Sequence, residues 1–332
     1  MRNLYVGYED QSPNFATIQE AVDFVPESST EETIIHIAPG TYRERLEIRK
    51  PFITLLGEDA ANTIIVFGHY AREPHEDGRN YGTFRSFSVI VDTHDFTARH
   101  ITFQNDAGFG YQVGQAVALY VDGDRCAFYD CQLLASQDTL FTGPLPEKEK
   151  QPGGFVGPKE FAPRVNGRQY YKNCYIRGDV DFIFGCATAY FDHCEFFSQK
   201  TGDKPERVAV CEGEETPVYG YVTAASTPEH QKYGYILDSC KFTSNCPPAT
   251  VYLGRPWREF GHTVLLNCEL GEHIRPAGWH DWQKPHSSIR YAEYKSFGPG
   301  SNPEARADFS RQLTDEEASE YTIANVLGDW VV

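Results

Sequence analysis

Short apolar runs, four or five residues long and rich in β-branched side chains, recur along almost the whole chain. Residues 33–37, 53–56, 63–67 and 88–91 open the series, and 116–120, 220–223 and 263–266 continue it. Turn-forming residues bound nearly all of them, so each reads as a strand. Helical periodicity is confined almost entirely to the two ends. Ile18, Ala21, Val22 and Val25 share one helical face, and Pro26 stops that helix. Near the other end, Thr314 and Glu317 make a capping-box pattern ahead of Ala318 and Tyr321.

Between these ends the strands fall into a repeat. Compare Phe128-Tyr129-Asp130-Cys131-Gln132-Leu133, Tyr171-Lys172-Asn173-Cys174-Tyr175-Ile176 and Phe191-Asp192-His193-Cys194-Glu195-Phe196. Leu237-Asp238-Ser239-Cys240-Lys241-Phe242 and Leu266-Asn267-Cys268-Glu269-Leu270 follow the same frame, and Arg99-His100-Ile101-Thr102-Phe103 places isoleucine where the others have cysteine. The cysteines lie 43, 20, 46 and 28 residues apart, close to one or two units of about 20 to 25. Repeated short β units of this length stack as a solenoid. The expected fold is all-β: a parallel β-helix, one domain over residues 1–332, with helical caps at both ends to cover its open strand edges. A Pro-, Gly- and Lys-rich insertion at about 142–165 interrupts the coil, and a second polar excursion runs from about 199 to 217. Long ordered loops in compact domains are usually functional, so the first insertion reads as a substrate-shaping lid, with an inert insertion as the alternative.

Charge and cysteine usage narrow the partners. A net charge of −17 and a pI near 5.1 exclude nucleic acid, which wants a basic surface. The same charge opposes a densely anionic polymer at long range, although a cleft can carry its own local sign. No run of about 18 apolar residues offers a membrane span. The nine cysteines are odd in number and lack a CxxC pair, so buried free thiols are expected. With no signal-peptide core at Met1-Arg2-Asn3-Leu4-Tyr5-Val6-Gly7, a cytoplasmic protein is expected; the alternative is a secreted one with its leader removed.

Candidate chemistry gathers on two aspartates, in Gln137-Asp138-Thr139-Leu140 and in Gly178-Asp179-Val180-Asp181-Phe182-Ile183-Phe184-Gly185. A carboxylate among apolar neighbours asks for an ionic partner, and Arg255 in Tyr252-Leu253-Gly254-Arg255-Pro256-Trp257 is the candidate. Asp138 and Asp181 lie 43 residues apart, about one coil once the insertion is subtracted. Gln115 lies 22 residues before Gln137, again one coil. Residues one coil apart sit on adjacent strands about 4.8 Å from each other. Gln137 and Asp138 can share a cleft only if the strand ends or bends there, because successive strand residues face opposite ways.

These motifs, together with Gly82-Thr83-Phe84-Arg85-Ser86 and Gln115-Ala116-Val117-Ala118-Leu119, resemble the ordered motifs of pectin methylesterases. The likeness runs from about Phe15 to the last helix. It implies a right-handed parallel β-helix that hydrolyses the C6 methyl ester of galacturonate in homogalacturonan or its oligomers without a cofactor; a monomer with no metal site is expected as well. By that resemblance Asp181 is the nucleophile and Asp138 the general acid and base. Arg255 orients Asp181, and Gln115 and Gln137 stabilise the oxyanion. Thr83 and Trp257 contact substrate. The longer insertion after Asp138 and about two added residues between Thr83 and Gln115 depart from the plant-type pattern without removing a motif residue.

Plainer readings exist for each residue. The aspartates could be strand-end turn formers, the glutamines an amide ladder, Arg255 a surface ion pair and Trp257 core packing. His280 and His286 match no helical zinc spacing, and no Ser-His-Asp elbow or phosphate-binding glycine loop is present. The rival functions are a lyase or galacturonidase on a similar coil, a thioesterase-like relative, and a non-catalytic binder of pectic oligomers.

Overall fold

The computed structural model describes residues 1–200 and 217–332. Its strands form three parallel sheets of 12, 8 and 7 strands. Each coil lays one strand on each sheet before climbing one rung, which makes a right-handed parallel β-helix. The predicted strands are present, with Thr33–Ile37 and Thr63–Phe67 matching to the residue. The 116–120 run becomes a shorter strand, Leu119–Val121.

The cysteine frame is the corner between two sheets. His100, Asp130, Asn173, His193, Ser239 and Asn267 all sit in the left-handed region, with φ between 52° and 57°. Asn, Asp and His tolerate that conformation better than most residues. The next side chain then turns inward, so Ile101 and the five cysteines stack in the core. Each thiol donates to a carbonyl of the preceding coil, as Cys174 does to Phe128 at 3.5 Å and Cys268 to Leu237 at 3.3 Å. The eight cysteines among the described residues are free thiols.

Every interval in that row is a single coil, where the spacing alone allowed one or two. The strands Cys126–Tyr129, Arg168–Lys172, Thr188–Asp192, Tyr235–Asp238 and His262–Leu266 are consecutive neighbours in the large sheet. The 43-residue coil is long because it carries the first insertion. The 46-residue coil carries the 199–217 excursion, most of which lies outside the described residues.

The helix Ile18–Phe24 starts from a capping box between Thr17 and Glu20 and buries Ile18, Ala21 and Val22 against the first strands. The second capping box, Thr314 with Glu317, starts a single turn, Asp315–Ala318, and a further helix follows at Ile323–Leu327. These last turns lie along the outside of the large sheet and do not cross its final coil. The reason is an apolar outer face, including Tyr170, Tyr190 and Val264, which Val326 and Leu327 cover. Arg168 fixes the placement by donating to the Leu327 carbonyl at 2.8 Å. Among the described residues no helix is long and apolar enough to cross a membrane.

The 142–165 insertion is held down firmly. Leu145, Phe155 and Val156 are buried. The Arg164 guanidinium donates to the carbonyls of Pro146, Lys159, Glu160 and Ala162 at 2.6–3.3 Å. Lys159 pairs with Asp92 and lies 3.6 Å from Asp122. These contacts dock the segment onto the coil.

Candidate active site

The site grows from the seven-stranded sheet. Its strands Leu119–Val121, Leu140–Thr142, Val180–Gly185, Gly220–Ala225 and Val251–Gly254 lie side by side. Gln115 and Gln137 fall on neighbouring rungs, where the Ala116 amide donates to the Gln137 carbonyl at 3.1 Å. Asp138 and Asp181 do the same, the Asp138 amide donating to the Val180 carbonyl at 3.1 Å.

The bend that the motif requires is present twice. Asp138 has φ of 65° and Asp181 of 52°, both in the left-handed region. The register also slips between Val180 and Ile183, a β-bulge that re-aims a side chain. Asp181 thereby reaches the cleft while Phe182 and Ile183 stay in the core. Gly178 makes room for this turn. A Cβ there would fall 2.2 Å from the Phe182 Cβ and 2.7 Å from the Ser136 carbonyl oxygen.

Arg255 grips Asp181 through two parallel bonds, Nε to Oδ1 at 2.8 Å and Nη2 to Oδ2 at 2.7 Å. Its guanidinium is sandwiched between Tyr221 and Trp282, 3.9 and 3.8 Å from their ring centres. The pair is mostly shielded, with side chains 12% and 11% exposed, which rules out a loose surface ion pair.

The electrostatics divide the two carboxyls. Burial, reinforced by the charge of Asp181, pushes Asp138 well above the usual carboxylate range. Arg255 works against that rise without cancelling it. Burial pulls the guanidinium of Arg255 down, yet the Asp181 charge and its hydrogen bonds outweigh it, so the net direction is up. One carboxyl is pushed towards its protonated form beside another that is salt-bridged, and that is the division that nucleophilic and acid catalysis needs.

Thr83, Gln115, Gln137, Asp138, Asp181, Arg255 and Trp257 all line one cleft of about 380 Å³. All seven residues singled out from the sequence are brought together. Trp257 packs its ring 5.7 Å from Phe184 and 6.3 Å from Phe84 while also lining the cleft. Among the described residues no group of three His, Cys, Asp or Glu side chains could hold a metal. His280 accepts from the Trp282 amide and His286 pairs with Asp281.

A family model for pectinesterase matches residues 4–145 and 164–329. The chain belongs to the pectinesterase family. It is 37% identical over 322 residues to Pectinesterase 31 of Arabidopsis thaliana, covering 94% of this chain and 88% of that one. A crystal structure of a pectin methylesterase in complex with a hexasaccharide superposes with a TM-score of 0.81 at 31% identity, covering 100% of this chain and 98% of the other. Pectin methylesterase from carrot gives 0.77 at 30% identity, covering 99% and 94%.

The pectinesterase match leaves out residues 146–163, so part of the cleft wall lies outside that match. Lys150, Gln151 and Phe155 of that segment line the cleft, and sequence reasoning missed each of them. It also missed Trp282, which stacks on Arg255 from a loop with no strand or helix period to place it. Asp179 was passed over as well. Burial pushes its carboxyl up to about 7, and Oδ1 accepts from the Val180 amide at 2.6 Å. Its only visible signal was a third acid beside Asp181 in one motif.

Proposed function

We propose that this chain, a carboxylic ester hydrolase of the pectinesterase family, removes the C6 methyl ester of galacturonate in homogalacturonan or its oligomers, with the roles that follow. An ionised Asp181 Oδ attacks the ester carbonyl and forms a tetrahedral oxyanion. Gln115 and Gln137 supply the amide hydrogens that bind the oxyanion. The C–OCH₃ bond then breaks, and Asp138 gives its proton to the departing oxygen, releasing methanol. Asp138, now a carboxylate, takes a proton from water as that water attacks the acyl-enzyme. Asp181 leaves as a carboxylate and Asp138 is reprotonated.

The observation that carries this reading is the bidentate Arg255–Asp181 pair beside a buried Asp138 whose carboxyl burial pushes up. Trp257 and Thr83 line the same cleft, which supports a role for them in holding the sugar. One chain carries every group named, which supports a working monomer. Eight unpaired thiols among the described residues support a reducing, cytoplasmic setting.

Methanol release from esterified galacturonan tests the reading, with ultraviolet absorbance of unsaturated products followed in the same reaction. Methanol matched by new carboxyl groups is the expected result. Unsaturated product without methanol means a lyase.

A further inference from the structure

One buried amide braces the cleft without lining it. Asn105 ends the strand Thr102–Asn105 and is only 5% exposed. Its Nδ2 donates to the carbonyls of His69 at 2.9 Å, Ser86 at 2.9 Å and Val117 at 3.1 Å. Its Oδ1 accepts from the Ala107 amide at 3.0 Å. Two amide hydrogens thus serve three carbonyls drawn from three separate segments. No amide ladder accounts for this residue, because its register partner on the neighbouring strand is Phe67.

Each of those segments leads to a group in the site. Ser86 closes the turn Thr83–Arg85, where its hydroxyl donates to the Thr83 carbonyl at 2.7 Å and accepts from the Val117 amide at 3.2 Å. Val117 lies two residues beyond Gln115, so Ser86 holds its amide and Asn105 its carbonyl. On the other side, His69 lies two residues before Ala71, whose amide donates to the Gln115 carbonyl at 2.8 Å. The backbone of 115–117 is therefore clamped by groups that Asn105 gathers. A donor aimed at a developing oxyanion needs such a clamp, since a shift of about 1 Å can cost about 100-fold in rate.

We propose that Asn105 is a positioning residue for ester hydrolysis, holding the Gln115 side-chain amide on the oxyanion through Ser86 and Val117. The inference rests on the esterase reading and on the oxyanion role that it gives to Gln115. Asn105 touches no substrate; it acts through the backbone of 115–117. The orientation of its own amide is fixed by its surroundings, because a reversed one would set Oδ1 against three carbonyl oxygens.

The test measures kcat and KM for methanol release from esterified galacturonan by the wild type, Asn105→Ala, Gln115→Ala and the double variant, each with a thermal melt. Asn105→Ala lowers kcat about 10- to 100-fold and shifts KM much less, as for a contact made in the transition state. In the Gln115→Ala background the same substitution changes kcat less than about twofold, because the donor it aims is already gone. Ser86→Ala removes the hydroxyl bridge, leaves Asn105 in place and shows the same pattern; it carries the test if Asn105→Ala does not fold. Equal kcat losses in both backgrounds, or a lower melting temperature with kcat kept, overturn the positioning role and leave the esterase reading intact. No methanol from the wild type overturns the esterase reading, and full kcat in Gln115→Ala overturns the oxyanion role on which the inference stands.

Discussion

Arg255 and Asp181 meet across two rungs of the coil, 74 residues apart in sequence, in a planar two-bond clasp. A rigid fork matches a carboxylate in a way that a point charge cannot. Arg255→Lys therefore lowers kcat by about 100-fold, because it loses one bond and the stacking on Tyr221 and Trp282. Arg255→Ala leaves a buried carboxylate unpaired and also lowers stability by roughly 3 kcal/mol. Steady-state methanol kinetics and thermal melts check the two effects.

Gln115→Ala and Gln137→Ala each reduce kcat by about 100- to 1000-fold with a small change in KM, as for loss of one oxyanion donor. A purely structural amide ladder gives the reverse pattern, with a lower melting temperature and kcat retained.

Asp138 must hold a proton to release methanol. Its range is raised by burial first and the Asp181 charge second, so the alkaline limb of activity lies above the pH at which an ordinary carboxyl would lose its proton. Activity falls along a single-proton limb as pH climbs through that raised value. The pH profile of kcat measures this directly.

Asp179 makes a stability prediction of definite sign. Burial lifts it to about 7 in the folded chain, against roughly 4 when unfolded. Between those values the folded state holds a proton that the unfolded state has lost, so stability falls as pH rises. Asp179→Asn removes that fall, and its melting temperature exceeds that of the wild type at pH 8. The advantage shrinks towards pH 4. Melts across that range decide it.

The corner residues carry a separate prediction. Asn173 sits at φ of 52°, so Asn173→Val costs about 1–2 kcal/mol while Asn173→Gly is nearly neutral. Urea titrations compare the two.

Much of this was legible from residue order because a solenoid turns spacing into position. Gln115, Gln137, Asp138 and Asp181 stack because each pair is one coil apart. β-Branched alternation likewise marked 33–37 and 63–67 as strands. Trp282 and Phe155 were illegible for the opposite reason: they reach the cleft from irregular segments, where no period fixes direction. The path of the last helix was hidden too, since it depends on an apolar outer face assembled from six or more separate coils. The left-handed turns at Asp138 and Asp181 were foreseeable only as a requirement, that the strand must bend.

The division of labour between the two aspartates is tested most directly by methanol release from esterified galacturonan by Asp181→Asn and Asp138→Asn beside the wild type. Both variants should melt cooperatively and release no methanol above background. Normal release by Asp181→Asn, from a folded protein, contradicts the account.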